Sequence, residues 1–152
     1  GQGAVLGTAR SGAPYIPLDV TDAAQFSAVN EALRMESPIK SFTRYVRQTT
    51  VFGAAEVQAG DRVIVLYGSA NRDEAKWGNP EVFDVSRGAR DQIAFGYGIH
   101  SCAGMHLARM EMAALLEALL DQVDRFEVGE PVVSMNNTLR GFERMPMVFH
   151  PV

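Results

Sequence analysis

The chain has 152 residues, 47% hydrophobic and 21% charged, a composition that supports one compact domain and excludes disordered or fibrous classes. Its net charge of −4 comes from mixed signs without a basic stripe, so nucleic acid is not an expected partner. No apolar run reaches bilayer length and no leader pattern opens the chain, so the expectation is a cytoplasmic protein with no membrane partner.

Residues 1–20 carry scattered Gly and Pro without a sustained period and read as an irregular segment. The chain begins at Gly1 instead of methionine, which is expected of a chain processed, tagged or cut from something longer. Asp22 and Gln25 have capping-box spacing, and Phe26, Val29 and Leu33 fall on one helical face, which predicts a helix from about Ala23 to about Met35 that ends at Ser37 and Pro38. Tyr45 and Val46, Thr49 to Phe52, and the run RVIVLY from Arg62 to Tyr67 have β character, with a turn at Ala59 to Asp61, and together predict a small antiparallel sheet.

Residues 70–94 mix Asn, Asp, Gly and Pro around Trp77 and Phe83 and read as a long structured meander. From Ala103 to about Val123 the chain is rich in Ala, Leu and Met around most of its circumference, which predicts a helix buried on several sides. The segments VVSM and MPMVFH then predict a terminal hairpin, joined by a loop from Asn136 to Arg144. The fold class expected is mainly α with a small antiparallel β portion.

The single cysteine, Cys102, cannot form an internal disulfide, which leaves a small buried thiol or a ligand. It sits in FGYGIHSCAG, directly before the apolar helix. A thiolate there is stabilised by unpaired N–H groups and the positive end of the helix dipole. Gly96 and Gly98 permit a tight turn, Gly104 permits close approach of a flat ring, and Phe95 would shield the sulfur. The N–H groups of Ala103, Gly104 and Met105 are candidates to hydrogen-bond it.

Residues 95–104 resemble the cysteine-loop pattern of the cytochrome P-450 family: Phe, two residues, Gly, one, basic, one, Cys, one, Gly. The likeness continues into Leu107–Arg109, and EALR at Glu31–Arg34 is similar to the Glu, two residues, Arg motif on the family's K helix. Residues 71–87 resemble the family's meander, with Arg87 at the place of a third member that joins Glu31 and Arg34 in a structural triad. The elements are then those of the C-terminal part of that fold: K helix, meander, cysteine loop, L helix and terminal hairpin, with residues 21–152 in one haem-binding domain.

The resemblance implies haem b with iron held by Cys102, and His100 and Arg44 as partners of its propionates. It implies a substrate pocket lined by Ile39, Lys40, Ser41, Phe42 and Leu139, with Lys40, Ser41 or Arg140 able to orient a polar group. The wording SPIKSF with NNTLRGFERMP is similar to soluble bacterial members that oxidise small aromatic acids. The implied activity is insertion of one atom of dioxygen into a small organic substrate, with electrons from a ferredoxin or flavoprotein that docks around His106 and Arg109. No segment resembles the long central helix that carries the family's oxygen-activating acid and alcohol, so the chain is expected to be a fragment.

Three alternatives stay open. A haem-binding or inactive remnant would bind without turnover. Haem-thiolate chemistry without monooxygenation is a second. A cysteine-nucleophile enzyme using Cys102 and His100 is a third, although no orienting third group is evident. His106, His150 and Met105, Met110 and Met112 read as surface or packing residues instead of ligands, and no zinc or calcium cluster is spaced along the chain.

Overall fold

The computed structural model describes residues 22–152 together with the strand pair β1 (Gly7–Thr8) and β2 (Pro14–Tyr15). The irregular segment expected over 1–20 and the capping role of Asp22 otherwise lie outside the described residues.

Helix α1 runs Asp22–Glu36. Its Val29 and Leu33 form a small core with Ala94 and Ala113, against which Phe95 and Met112 pack. Phe26, expected on the same face, is exposed, because the packing surface ends a turn short of it. The helix stops where expected. Ser37 adopts φ 39°, its N–H donates to the Leu33 carbonyl at 2.9 Å and its hydroxyl donates to the Arg34 carbonyl at 3.0 Å. Both bonds satisfy carbonyls that a helix end leaves without partners, and Pro38 prevents continuation.

Strand β3 (Ser41–Tyr45) pairs antiparallel with β6 (Arg62–Leu66), and β4 (Thr50–Phe52) with β5 (Ala55–Val57). The single sheet expected here is thus two separate ladders. The turn before β6 depends on Gly60, at φ 95°, whose N–H donates to the Val46 carbonyl at 2.8 Å while Asp61 accepts from Val46 at 3.0 Å. Tyr67, expected to end the strand, instead opens the short helix α2 (Tyr67–Ala70) and is buried. Its ring meets Phe42 edge-on at 6.1 Å.

Residues 71–94 form the expected meander, with one 3₁₀ turn at Val85–Arg87 capped by the Asp84 side chain on the Ser86 N–H at 2.9 Å. Helix α3 (Met105–Gln122) is where expected but is not the buried helix predicted: only Ala113 is fully buried, and Leu107, Met110 and Leu115 are more than half exposed. Its contact with α1 covers one side, and the rest of its apolar circumference faces solvent. No helix among the described residues is long and apolar enough to cross a membrane.

The C-terminal pairing corrects the sequence reading. Val123 opens a strand, β7 (Val123–Val128), whose partner is the last strand, β10 (Met147–Pro151). Strand β8 (Val132–Val133) pairs with β9 (Phe142–Arg144), inside the stretch expected to be loop. VVSM and MPMVFH therefore do not pair with each other. Local pattern marks segments that want an extended partner, but it does not say which of several short segments provides it.

The most deeply buried side chains are charged: Glu31 and Arg34 have no solvent exposure. Arg34 grips the Glu31 carboxylate with Nε and Nη2, each at 2.8 Å. Its Nη1 donates to the Asn71 carbonyl at 2.8 Å and Nη2 also reaches the Pro80 carbonyl at 2.9 Å. Arg87 Nε donates to Glu31 Oε1 at 3.2 Å, the Asp84 N–H donates to the same oxygen at 3.1 Å, and Arg87 Nη1 holds the Gly78 carbonyl at 2.6 Å. The Trp77 ring lies 5.6 Å from the Arg34 guanidinium. A short Glu and Arg pair on one helix has thus become the clamp that binds α1 to the meander.

Burial is the largest single influence on the Glu31 carboxyl and pushes its pKa up, but the Arg34 and Asp84 hydrogen bonds, the Arg34 charge and the Arg87 bond together outweigh it and hold the group below its ordinary value. A depressed carboxyl contributes stability that is present above its unfolded pKa and lost as pH falls through the folded one. Replacing Glu31 by Gln leaves Arg34 buried without a counter-charge and should lower unfolding free energy near neutral pH by about 3–5 kcal/mol, read by urea denaturation. The same series extended below the ordinary Glu range, about pH 4.3, should show the wild type losing stability faster than the variant; parallel acid limbs would exclude Glu31 as the titrating group.

The open flank of α3 should drive self-association of the isolated chain. Light scattering should report oligomers that dissociate on Leu115→Lys, and a monodisperse wild-type monomer would contradict this.

Candidate active site

The loop from Ala94 to Met105 is closed by its own backbone. The Cys102 N–H donates to the Phe95 carbonyl at 2.8 Å, and the Gly96 N–H donates to the Ile93 carbonyl at 2.9 Å. Between them a 3₁₀ turn spans Gly98–His100, with the His100 N–H on Tyr97 at 3.2 Å and the Ser101 N–H on Gly98 at 3.1 Å. Gly96 has φ 80°, and a Cβ there would stand 2.6 Å from the His100 carbonyl oxygen, so only glycine serves. Gly98 also has positive φ, 61°.

Cys102 is a free, exposed thiol that enters α3 three residues ahead of its first residue. The Met105 N–H, expected as one partner of the sulfur, instead donates to the Cys102 carbonyl at 3.2 Å, which leaves those of Ala103 and Gly104 as the remaining candidates. At Gly104 an added Cβ would meet only the Cys102 Sγ, at 3.9 Å, so the surface beside the sulfur is open to a flat group. Tyr97, Ile99 and His100 are exposed on the same loop.

Phe95 is half-buried against the α1 and α3 core, and the Arg109 guanidinium lies over its ring at 5.2 Å. Arg109 Nε is buried without a hydrogen-bond partner, which places this arginine in the support of Phe95 more than in an open docking surface. His106 stays exposed. Arg44, on β3, donates to the Thr43 carbonyl at 3.1 Å and lines a groove of about 600 Å³ with Arg47, Phe52, Val57 and Ile64.

The two segments expected to wall a substrate pocket are brought together. Ile39 and Leu139 form an antiparallel bridge, the Lys40 N–H donates to the Thr138 carbonyl at 2.9 Å and the Arg140 N–H to the Pro38 carbonyl at 2.7 Å. Lys40 Nζ is held by the Asn136 carbonyl at 2.8 Å, and Arg140 pairs with Glu36 at 3.4 Å, so both cations have protein partners. Phe42 stays about half exposed and Ser41 half-buried. No group of three or more His, Cys, Asp or Glu side chains that could hold a metal ion is present among the described residues.

Two buried residues, Asn71 and Ser37, are marked in the sequence only as the head of the meander and the end of a helix. Their importance lies in hydrogen bonds between segments far apart in sequence.

The chain matches the family model for cytochrome P-450 over residues 26–147. It is 36% identical over 149 residues to cytochrome P-450-terp of a Pseudomonas species, covering 97% of this chain and 35% of that protein. It is 40% identical over 126 residues to the beta-dihydromenaquinone-9 omega-hydroxylase of Mycobacterium tuberculosis, covering 82% of this chain and 26% of that one. Among solved structures, CYP108D1 from Novosphingobium aromaticivorans superposes with a TM-score of 0.80 at 38% identity, covering 85% of this chain and 32% of its own length. The chain thus spans between about a quarter and about a third of the length of these relatives. A glycine-locked cysteine loop at the start of a helix, clamped to a buried Glu and Arg pair, and relatives of this identity lead to one conclusion: the chain belongs to the cytochrome P-450 family.

Proposed function

We propose that the chain is the C-terminal part of a haem-thiolate monooxygenase whose whole form inserts one oxygen atom from dioxygen into a small organic substrate. The observation that carries this reading is the exposed Cys102, its N–H locked onto the Phe95 carbonyl at 2.8 Å beside an open glycine surface. The donor set fits haem b: one thiolate at a helix start, no competing ligand cluster among the described residues, and a face free of side-chain bulk at Gly104. When bound, the haem supplies dioxygen binding and one-electron chemistry, which a thiolate ligand biases towards O–O cleavage.

In this reading Cys102 would hold the haem iron, and the Ala103 and Gly104 N–H groups are the candidates to hydrogen-bond its sulfur. His100 and Arg44 pair with the propionates, and Glu31, Arg34 and Arg87 hold the loop's foundation in place. Ile39, Phe42 and Leu139 form an apolar substrate wall. Because Lys40 and Arg140 are engaged by Asn136 and Glu36, we favour an apolar substrate over an aromatic acid. A ferredoxin or flavoprotein would supply electrons to the whole enzyme, which we place in the cytoplasm.

A second reading of the same Cys102 geometry is a haem-binding remnant without turnover. One titration separates the readings. Haem added to the chain, reduced and exposed to carbon monoxide, should give the red-shifted Soret band of thiolate ligation, and Cys102→Ser should abolish it. Haem binding without oxygen- or peroxide-driven turnover would favour the remnant, and no thiolate band in the wild type would defeat both. Gly96→Ala should cost at least about 1 kcal/mol in loop stability and reduce the thiolate-ligated fraction, because the new methyl meets the His100 carbonyl.

A further inference from the structure

Three segments that are distant in sequence meet at one buried side chain. Asn71 is 1% exposed, just after α2 at the head of the meander. Its Oδ1 accepts the Ile93 N–H at 2.9 Å, and its Nδ2 donates to Ser37 Oγ at 2.9 Å. Its carbonyl accepts Arg34 Nη1 at 2.8 Å, and its own N–H donates to the Tyr67 carbonyl at 2.9 Å. The Ile93 N–H can only donate, so the amide orientation is fixed: oxygen to Ile93, nitrogen to Ser37. Ser37, in turn, donates its hydroxyl proton to the Arg34 carbonyl at 3.0 Å and is 2% exposed.

Ile93 lies at the stem of the cysteine loop, two residues ahead of Phe95. Its carbonyl accepts the Gly96 N–H at 2.9 Å, which sets the turn that places the Phe95 carbonyl, and that carbonyl takes the Cys102 N–H at 2.8 Å. We infer that Asn71 is the positioning residue of the cysteine loop, a relay that carries the fixed geometry of the buried Glu31 and Arg34 pair to the backbone of Cys102. An alanine would leave the part-buried Ile93 N–H without its acceptor and the Ser37 oxygen without its amide donor, so the loop stem would shift towards another acceptor. The inference deepens the proposed function and rests on Cys102 being the ligand.

The test is residue-resolved amide hydrogen exchange on the full chain, beside the haem and carbon monoxide titration. Asn71→Ala should reduce protection about tenfold at Ile93 and about threefold at Cys102, with the β7 and β10 amides unchanged. Ser37→Ala, which keeps the Ile93 bond but frees the other end of the amide, should reduce Ile93 protection about threefold. The double variant should lose no more than Asn71→Ala alone, because the two residues act in one chain. The thiolate-ligated fraction should fall in the same order. Uniform loss of protection across all amides, or unchanged protection at Ile93, would overturn the relay, and if Asn71→Ala does not fold, Ser37→Ala decides by the same criterion. Should the wild type give no thiolate band while the exchange pattern holds, the haem reading fails and the relay stands.

Discussion

The buried pair of Glu31 and Arg34 is the constraint on which the rest of this structure depends. Two charges with no solvent exposure are tolerable only if nearly every hydrogen-bonding position around them is filled, and here the fillers are backbone groups of Asn71, Pro80 and Asp84 together with Arg87. An otherwise irregular meander is thereby held in one path. Turns without a period of their own cannot be stabilised by ladder or helix hydrogen bonds, so a polar hub takes that role.

The apolar core is small by comparison. Val29 and Leu33 of α1, Ala113 of α3 and Ala94 at the loop's stem form it. Ala94 belongs to this core while the next residue begins the cysteine loop. Two anchors therefore converge on the loop's stem, apolar contact at Ala94 and Phe95 and polar contact at Ile93 through Asn71. Rigidity at the stem lets the tip, with Tyr97, Ile99 and His100, stand in the open without collapsing onto the helix.

The same structure leaves much apolar surface uncovered. Leu107, Met110 and Leu115 on α3, and Phe52 and Ile64 on the separate ladders, are more than half exposed. The relatives, about three times as long, have further chain, and the exposed faces of this one are the sort of surface that additional elements cover.

The sequence by itself determined the elements whose causes are local. Helix α1 and its stop follow from spacing and from Pro38, the glycines at 96 and 98 do take positive φ, and the cysteine stands where α3 begins. The resemblance to the family's motifs implied a triad of Glu31, Arg34 and Arg87, and the structure brings the three within hydrogen-bond reach. Tertiary structure alone decided what depends on long-range partners. VDRFEV could have extended α3, but it pairs with MVFHP and becomes a strand, and the Lys40 ammonium meets the Asn136 carbonyl far along the chain. Asn71 shows the reason most clearly: an amide is ordinary in a turn, and only the fold sets Ile93 at one end and Ser37 at the other.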